Sequence, residues 1–368
     1  MRKSSVLLGF CACFLIYGLL RYPSAMLASS AASVTLWLTK VFPSLFPFLA
    51  ACGILLRIGA AERMGRLLRP LTKFLFGLDG IAAFPFFLGI LSGYPMGAKI
   101  TAQLYEKKYI SLDEAQHILV CSNQPGPLFL IGTIGAGFFG MPLCGYLLLA
   151  SSFCGAVTTG FLWRFRRKKP SSSCTASRLL SPAAVPLTEI LSASVADAIN
   201  TILLIGGYLI FFGALSEAME QTDIFLRLSE TMHIFPLSAE TLQGICSGLL
   251  EMTNGAYLLS RSPDDLRLRL TLVSFLVSFG GLSILGQTFC VLSAVPIDKK
   301  DYLKGKCTHA LCSSLFCWIF YSFLEQNAQK AVPVFSFFTE TAFTLSFLWL
   351  FPSLFFLGVL CHALIHKR

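Results

Sequence analysis

Residues 89–104 read GILSGYPMGAKITAQL, and residues 122–129 read SNQPGPLF. Both stretches interrupt apolar sequence with glycine and proline, which end or bend helices. The chain around them is strongly apolar, because 55% of its 368 residues are hydrophobic, 13% are charged and 34 are Phe. This is more apolar side chain than one soluble core of this size would bury, so we expect the protein to lie in a bilayer.

Eight segments approach the roughly 20 apolar residues that a helix needs to cross a bilayer. They are residues 4–20, 41–56, 115–139, 143–163, 198–215, 270–292, 310–324 and 342–364. We therefore predict an all-α integral membrane protein with about eight transmembrane helices. Two further apolar stretches, 81–99 and 242–259, are predicted to be re-entrant hairpins that enter and leave the membrane on one side.

The formal net charge is +10, but the basic residues form short clusters beside apolar segments. Such clusters normally set the orientation of membrane loops. With the N-terminus inside and two hairpins, most Lys and Arg residues lie on the cytoplasmic side, including the cluster at 299–306. The charge distribution therefore supports the hairpins, and no nucleic-acid partner is expected.

The two halves of the chain follow the same order of elements. Each has a span, a charged interfacial stretch, a hairpin, a long broken span and a further span, and the two sets are predicted to run in opposite senses. A shift of about 158 positions places Gly97 on Gly255 and residues 122–123 on residues 280–281. Inverted repeats with discontinuous helices are typical of secondary transporters.

Helix breaks are the places where such a protein would bind its solute. In a bilayer, backbone that is not helical must be buried in protein or line a wet cavity, because each unsatisfied polar group costs several kcal/mol. The predicted substrate-binding residues are Ser92, Gly93, Tyr94, Pro95, Gly97, Lys99, Ser122, Asn123, Gln124, Gly126, Pro127, Thr253, Asn254, Gly255, Gly280, Gly281 and Ser283.

The half-helices that begin near Gly97 and Pro127 are predicted to direct their electropositive ends at a shared chamber at mid-membrane depth. Lys99 adds a positive charge in the first turn of one of them, so a small anion is the favoured solute. Glu251, an ionisable residue in an apolar stretch, is predicted to bind the coupling ion.

Each of these assignments has a structural alternative. The glycines and prolines can serve close helix packing alone, Lys99 can extend to the interface, and Glu251 can be a structural hydrogen-bonding group. The five His residues show no metal-ligand spacing, and no nucleophile or phosphate-binding motif is present. We therefore expect no enzyme activity, no metal and no cofactor.

Three segments carry a resemblance to a known family. They are FPSLFPFLAACGILLRIG at residues 42–59, GILSGYPMGAKITAQL at 89–104 and SNQPGPLFLIGTIGAGFFG at 122–140. They look like the bacterial sporulation integral membrane proteins of YlbJ type, which carry paired nucleoside-recognition (Gate) domains. The resemblance is sharpest in residues 42–140, and the second half is more diverged.

The resemblance implies a fold similar to that of concentrative nucleoside transporters and a role in endospore formation. Members of this family are thought to move dipicolinic acid, a small aromatic dianion, across the outer forespore membrane. We accordingly expect a multi-pass protein of the bacterial cell membrane, in the outer forespore membrane during sporulation. A membrane scaffold for spore envelope or cortex assembly, and a nucleoside or ion permease of the same fold, are the alternatives.

The predicted organisation has five parts: an N-terminal span and external segment at 1–40, a first Gate-like repeat at 41–163, a basic Ser/Pro-rich cytoplasmic linker at 164–187, a second, inverted repeat at 188–324, and a C-terminal span at 325–368. The expected partners are a small anionic solute and the lipid bilayer, and a homo-oligomer is left open. The first span is expected to be retained rather than cleaved as a signal peptide.

Overall fold

The computed structural model describes residues 3–78, 80–166, 186–231 and 237–328, which form helices and short connections. The first half contains α1 (Lys3–Arg21), α2 (Pro23–Leu36), α3 (Phe42–Arg57), α4 (Ala60–Phe76), α5 (Ala83–Ser92), α6 (Met96–Glu106), α7 (Leu112–Ser122), a π-helix (Leu128–Phe138) and α8 (Pro142–Arg164). A second π-helical turn, Trp37–Val41, and a 3₁₀ turn, Gly80–Ala82, connect neighbouring helices.

The second half contains α9 (Leu187–Gln221), α10 (Ile224–Thr231), α11 (Ala239–Leu250), α12 (Met252–Arg261), α13 (Leu266–Phe279), α14 (Gly281–Val291) and α15 (Lys299–Ala328). The chain forms two compact units, Met1–Trp318 and Ile319–Arg368. Of the second unit, only residues 319–328 at the end of α15 are described.

Three helical stretches of the described residues are long and apolar enough to cross a membrane: Pro142–Arg164, Leu187–Gln221 and Leu266–Val291. The number rises to five if each of two bent pairs is one span, and one of these pairs, Gly9–Arg21 with Pro23–Thr39, is bent by 113°. The predicted span at 342–364 lies outside the described residues. A count of eight crossings therefore stays a prediction.

The first helix pair is formed by α5 and α6, and its tip is residues 93–95. Gly93 has a φ of +87°, which only glycine adopts without strain. A Cβ atom on Gly97 would lie 2.9 Å from the backbone nitrogen of Asn123 and still closer to the carbonyl oxygen of Ser122. The glycines of this pair therefore allow it to pack directly against the end of α7.

The first helix break follows α7. This helix begins with a capping box formed by Ser111 and Glu114, and it ends at Ser122. Residues 123–126 are not helical, and the chain is helical again at Pro127, directly before the π-helix. A Cβ atom on Gly126 would lie 2.7 Å from the carbonyl oxygen of Ser92, so the tip of the first pair and the first break are in contact.

The second half contains a helix pair and a helix break of its own. Helices α11 and α12 meet at Glu251, and α13 and α14 are separated at Gly280, which has a φ of +93°. A Cβ atom on Gly281 would lie 2.9 Å from the carbonyl oxygen of Gly248 in α11. The breaks and tips therefore fall at the predicted positions, while the opposite sense of the two halves and the re-entrant path of the pairs stay predictions.

Hydrogen bonds connect the start of α11 to the loop that follows α12, outside the apolar spans. Ser238, the N-cap of α11, donates hydrogen bonds from its backbone N–H and its hydroxyl to Asp264 Oδ2, at 3.2 and 2.7 Å. Hydrogen bonds from Thr241 and Ser238 lower the pKa of Asp264 from its ordinary value of 3.8. This contribution to stability is present above the unfolded pKa and is lost as the pH falls through the lower folded pKa.

We predict that Gly97→Ala lowers the stability of the purified protein, because the added methyl group overlaps the backbone at residues 122–123. Overpacking of this kind typically costs about 1–3 kcal/mol. Thermal unfolding in detergent measures the effect. The matched control is Gly207→Ala in α9, where an added Cβ meets no atom within 4 Å. Equal melting temperatures for the two variants would contradict the close contact.

Candidate functional site

A buried polar network lies where the first tip, the first break and α15 meet. Its centre is the ammonium group of Lys306, a residue with 0% exposure. Lys306 Nζ donates hydrogen bonds to the hydroxyl of Tyr94 at 2.8 Å and to the backbone carbonyl of Asn123 at 2.9 Å. It also lies 3.3 Å from Nδ1 of His309, one turn further along α15.

The hydrogen-bond pattern defines the tautomer of His309. Nε2 of His309 lies 3.0 Å from the carbonyl oxygen of Ser152 on α8 and must donate to it. Nδ1 is then the acceptor for Lys306. The three donors of the Lys306 ammonium group thus each have one acceptor, since Tyr94, Asn123 and His309 supply one apiece.

The network extends into the second half of the chain. The amide nitrogen of Asn123 donates to the hydroxyl groups of Thr288 on α14 and Tyr302 on α15, at 2.9 and 2.8 Å. The hydroxyl of Tyr94 lies 3.1 and 3.0 Å from the carbonyl oxygens of Val277 and Ser278, in the last turn of α13. The side chains of the first tip and first break are therefore bonded to the second break.

Apolar contacts join the tips of the two helix pairs. The ring of Tyr94 belongs to one buried cluster with Met252, the first residue of α12, and Ile284 of α14, and Phe129 packs against this cluster. The tip and break regions of both halves therefore form one packed centre.

Lys99 occupies a different position from the one predicted. It lies in α6, but its ammonium group donates a hydrogen bond to Thr201 Oγ1 on α9 at 2.7 Å. Lys99 also lines a small cleft between α3, α6 and α9, together with Leu49, Cys52, Gly53, Met96, Ile100, Gln103, Asp197 and Ala198. The predicted site is thus divided into the packed centre around Asn123 and the cleft at Lys99.

The carboxylate in this cleft is already paired. Asp197 Oδ2 lies 2.6 Å from Nη2 of Arg57 on α3, and Nη1 of the same arginine donates to the hydroxyl of Ser194 at 3.2 Å. Lys99 forms no ion pair with any carboxylate among the described residues. The cleft therefore contains the Lys99 ammonium group and one carboxylate, which is ion-paired with Arg57.

The starts of the half-helices differ in how they are capped. The N-caps of α6, the π-helix and α14 are Pro95, Pro127 and Gly280, and none of them accepts a side-chain cap hydrogen bond. The N-cap of α12 is Glu251, whose Oε2 accepts from the backbone N–H of Asn254 at 2.8 Å. Glu251 therefore neutralises the electropositive end of its own helix, and its role in ion coupling stays a prediction.

Several predicted site residues at the first tip and break are buried without a protein partner. Ser92 Oγ, Ser122 Oγ and Asn123 Oδ1 have no hydrogen-bond partner among the described residues. Buried polar atoms are normally bonded, and those that the protein leaves unpaired usually bind water or a ligand. These three oxygen atoms make the first break a candidate site for a water molecule or a polar ligand.

The other predicted residues are distributed between the two breaks. The tip and break of the first half contain Gly93, Pro95, Gly97, Gln124, Gly126 and Pro127. Those of the second half contain Thr253, Asn254, Gly255, Gly280, Gly281 and Ser283. Asn254 is bonded within its own surroundings, because its amide donates to Ser247 Oγ at 3.0 Å and Ser216 Oγ at 3.3 Å.

The placement of Lys306 in a cytoplasmic cluster is wrong, because this side chain is completely buried inside the protein. Tyr302, Lys306 and His309 are spaced by four and three residues, which puts them on one face of a helix. That periodicity indicates a shared helix face, whereas the charge distribution assigned Lys306 to the cytoplasmic side. Asp197 and Gln103 were also missed. The described residues contain no group of three or more His, Cys, Asp or Glu that could hold a metal ion.

Comparisons with known proteins agree with this architecture. The chain superimposes on a solved structure of CNTnw in an outward-facing state with a TM-score of 0.50 and 12% identity, covering 87% of this chain and 86% of that one. The fold is therefore similar to that of a concentrative nucleoside transporter, and the protein is a multi-pass membrane protein.

Sequence comparisons show which protein families the chain is similar to. Residues 38–161 match the family described as Gate: Nucleoside recognition. The chain is also 29% identical over 323 residues to "Sporulation integral membrane protein YlbJ" of Bacillus subtilis (strain 168), covering 82% of this chain and 79% of the relative. The first half is therefore similar to Gate domains, and the predicted resemblance to the YlbJ-type family is confirmed. A second Gate domain stays a prediction.

We predict that Tyr94→Phe lowers the free energy of unfolding by about 1–3 kcal/mol, because it removes one acceptor of Lys306 and one donor to the end of α13. The measurement is thermal unfolding of the purified protein. Tyr257→Phe is the control, since this tyrosine is 39% exposed and its ring contacts survive the change. A Tyr94→Phe variant as stable as the control would show that the hydroxyl is not part of a stabilising network.

Proposed function

We propose that the protein is a secondary transporter that carries a small anionic solute by alternating access, with the solute bound beside the first helix pair. The observation that carries this proposal is the Lys99 ammonium group, which lines an intramembrane cleft whose one lining carboxylate, Asp197, is ion-paired with Arg57. Ionisable residues within membrane helices are costly and usually face a pathway or a partner.

The chemistry of the cleft suits a carboxylate. Lys99 offers a charged donor, and it donates a hydrogen bond to the neutral hydroxyl of Thr201 on α9. The amide of Gln103 lies one turn further along α6 and adds a neutral donor. Met96 also lines the cleft, so the cleft extends to the start of α6, where uncapped N–H groups favour negative charge.

In this proposal, the solute contacts the unpaired oxygens at the first break during transport. Ser92 Oγ, Ser122 Oγ and Asn123 Oδ1 are buried at the tip of the same helix pair that carries Lys99. A movement of α5 and α6 relative to α7 would expose these atoms while carrying Lys99 along. Discontinuous helices that move around a central site are the usual means of alternating access in such folds.

The solute that fits the proposal is dipicolinate. It is a small aromatic dianion, and the relative in Bacillus subtilis is called a sporulation integral membrane protein. A role in endospore formation, with transport across the outer forespore membrane, follows for this chain by analogy with the YlbJ-type family. A nucleoside is the second candidate solute, because the matching family is described as nucleoside recognition.

We predict that Lys99→Gln reduces dipicolinate uptake by about tenfold or more in proteoliposomes, because a hydrogen bond to a charged group contributes about 1.5–3 kcal/mol. The readout is the initial rate of labelled dipicolinate uptake at several concentrations. The control is Lys300→Gln, which removes an exposed lysine at the start of α15. An excess of unlabelled uridine in parallel assays tests the nucleoside.

Uptake that is unchanged in Lys99→Gln would contradict the proposed site. Uptake of labelled uridine in preference to dipicolinate would replace the anion with a nucleoside as the solute. Absence of uptake for both, with a wild-type protein that is folded, would favour the membrane scaffold.

A further inference from the structure

The ammonium group of Lys306 has surroundings that resemble a binding site for a small cation. Its three hydrogen-bond partners, Tyr94 OH, Asn123 O and His309 Nδ1, lie at 2.8, 2.9 and 3.3 Å and come from three different parts of the chain. The ring of Tyr94 adds a cation–π contact, with Nζ 4.8 Å from the ring centroid. All of these groups present negative charge density to Nζ.

No carboxylate of the described residues pairs with this lysine. A buried charge needs compensation, and here helix ends supply it. Asn123 is the C-cap of α7, so its carbonyl belongs to the electronegative end of that helix. The Tyr94 hydroxyl accepts a hydrogen bond from Nζ and is itself a donor to the carbonyls of Val277 and Ser278, in the last turn of α13. Lys306 therefore joins the C-terminal ends of the two broken helices.

We propose that Lys306 is a tethered cation, which fills a site for a primary ammonium ion formed by Tyr94, Asn123 and His309. The site is defined by its acceptors rather than by the lysine stem, so it should still bind a free alkylammonium ion after the side chain has been shortened. The proposal goes beyond the proposed function, because it concerns what holds the tip and both breaks together and does not depend on the solute.

The arrangement predicts which property of Lys306 matters. If charge and donor number are decisive, a neutral side chain of the same length must fail, since methionine cannot donate to the three acceptors. If volume alone is decisive, methionine must succeed, because it fills a similar space. A ligand that binds only the folded state stabilises it in proportion to its occupancy, so rescue by a free cation is measurable as a shift in melting temperature.

The experiment uses full-length Lys306→Ala, produced and purified with or without n-propylammonium, which replaces the missing part of the side chain. We expect Lys306→Ala and Lys306→Met each to melt roughly 5 °C or more below the wild type. Propylammonium should restore at least half of this loss in Lys306→Ala, while 1-propanol, which has a similar shape and no charge, should restore none. Where Lys306→Ala is recovered only from cells grown with propylammonium, the yield of monodisperse protein gives the same comparison.

The controls separate a cation site from general effects. Lys304→Ala removes an exposed lysine from the same helix and should neither lose stability nor respond to propylammonium. Equal rescue by 1-propanol, a Lys306→Met protein as stable as the wild type, or no rescue by propylammonium in either stability or yield would each overturn the proposal. None of these measurements involves transport, so a failure here leaves the proposed function untouched.

Discussion

The hydrogen bonds of the Lys306 ammonium group are the interactions on which the centre of the molecule depends. Two helices end inside the apolar part of the protein, and each end leaves backbone carbonyls that no solvent can satisfy. Lys306 bonds the end of α7 directly and reaches the end of α13 through Tyr94. One buried side chain thereby bonds the ends of two broken helices.

The close contact of tips and breaks is the second constraint, and it follows from glycine. Gly97 and Gly126 bring the first pair and the first break into backbone contact, and Gly281 does the same against α11 in the second half. Side chains at these positions would separate the segments and remove Tyr94 from the reach of Lys306. The same contact leaves Ser92, Ser122 and Asn123 with unpaired oxygens. Tight backbone packing and unpaired polar atoms therefore occur at one place.

Sequence reasoning located the breaks well because glycine and proline act locally. The tip at residues 93–95, the break at 123–126 and the break at Gly280 all lie where the composition indicated. Side-chain partners were harder to predict, because they depend on how distant helices pack. Lys99 was expected to contribute its charge to the shared chamber and instead bonds Thr201, about a hundred residues away in sequence. Lys306 was assigned to a loop because charge statistics describe average lysines, whereas a buried lysine is an exception that only tertiary contacts reveal.

The most direct test of the account is a cryo-EM map of the protein in lipid nanodiscs. The account predicts interrupted helices at residues 123–126 and at Gly280, with Lys306 Nζ within hydrogen-bond distance of Tyr94 and Asn123. In the presence of dipicolinate it also predicts density beside Lys99. Continuous helices through either break, or a Lys306 side chain that extends into solvent, would contradict the account.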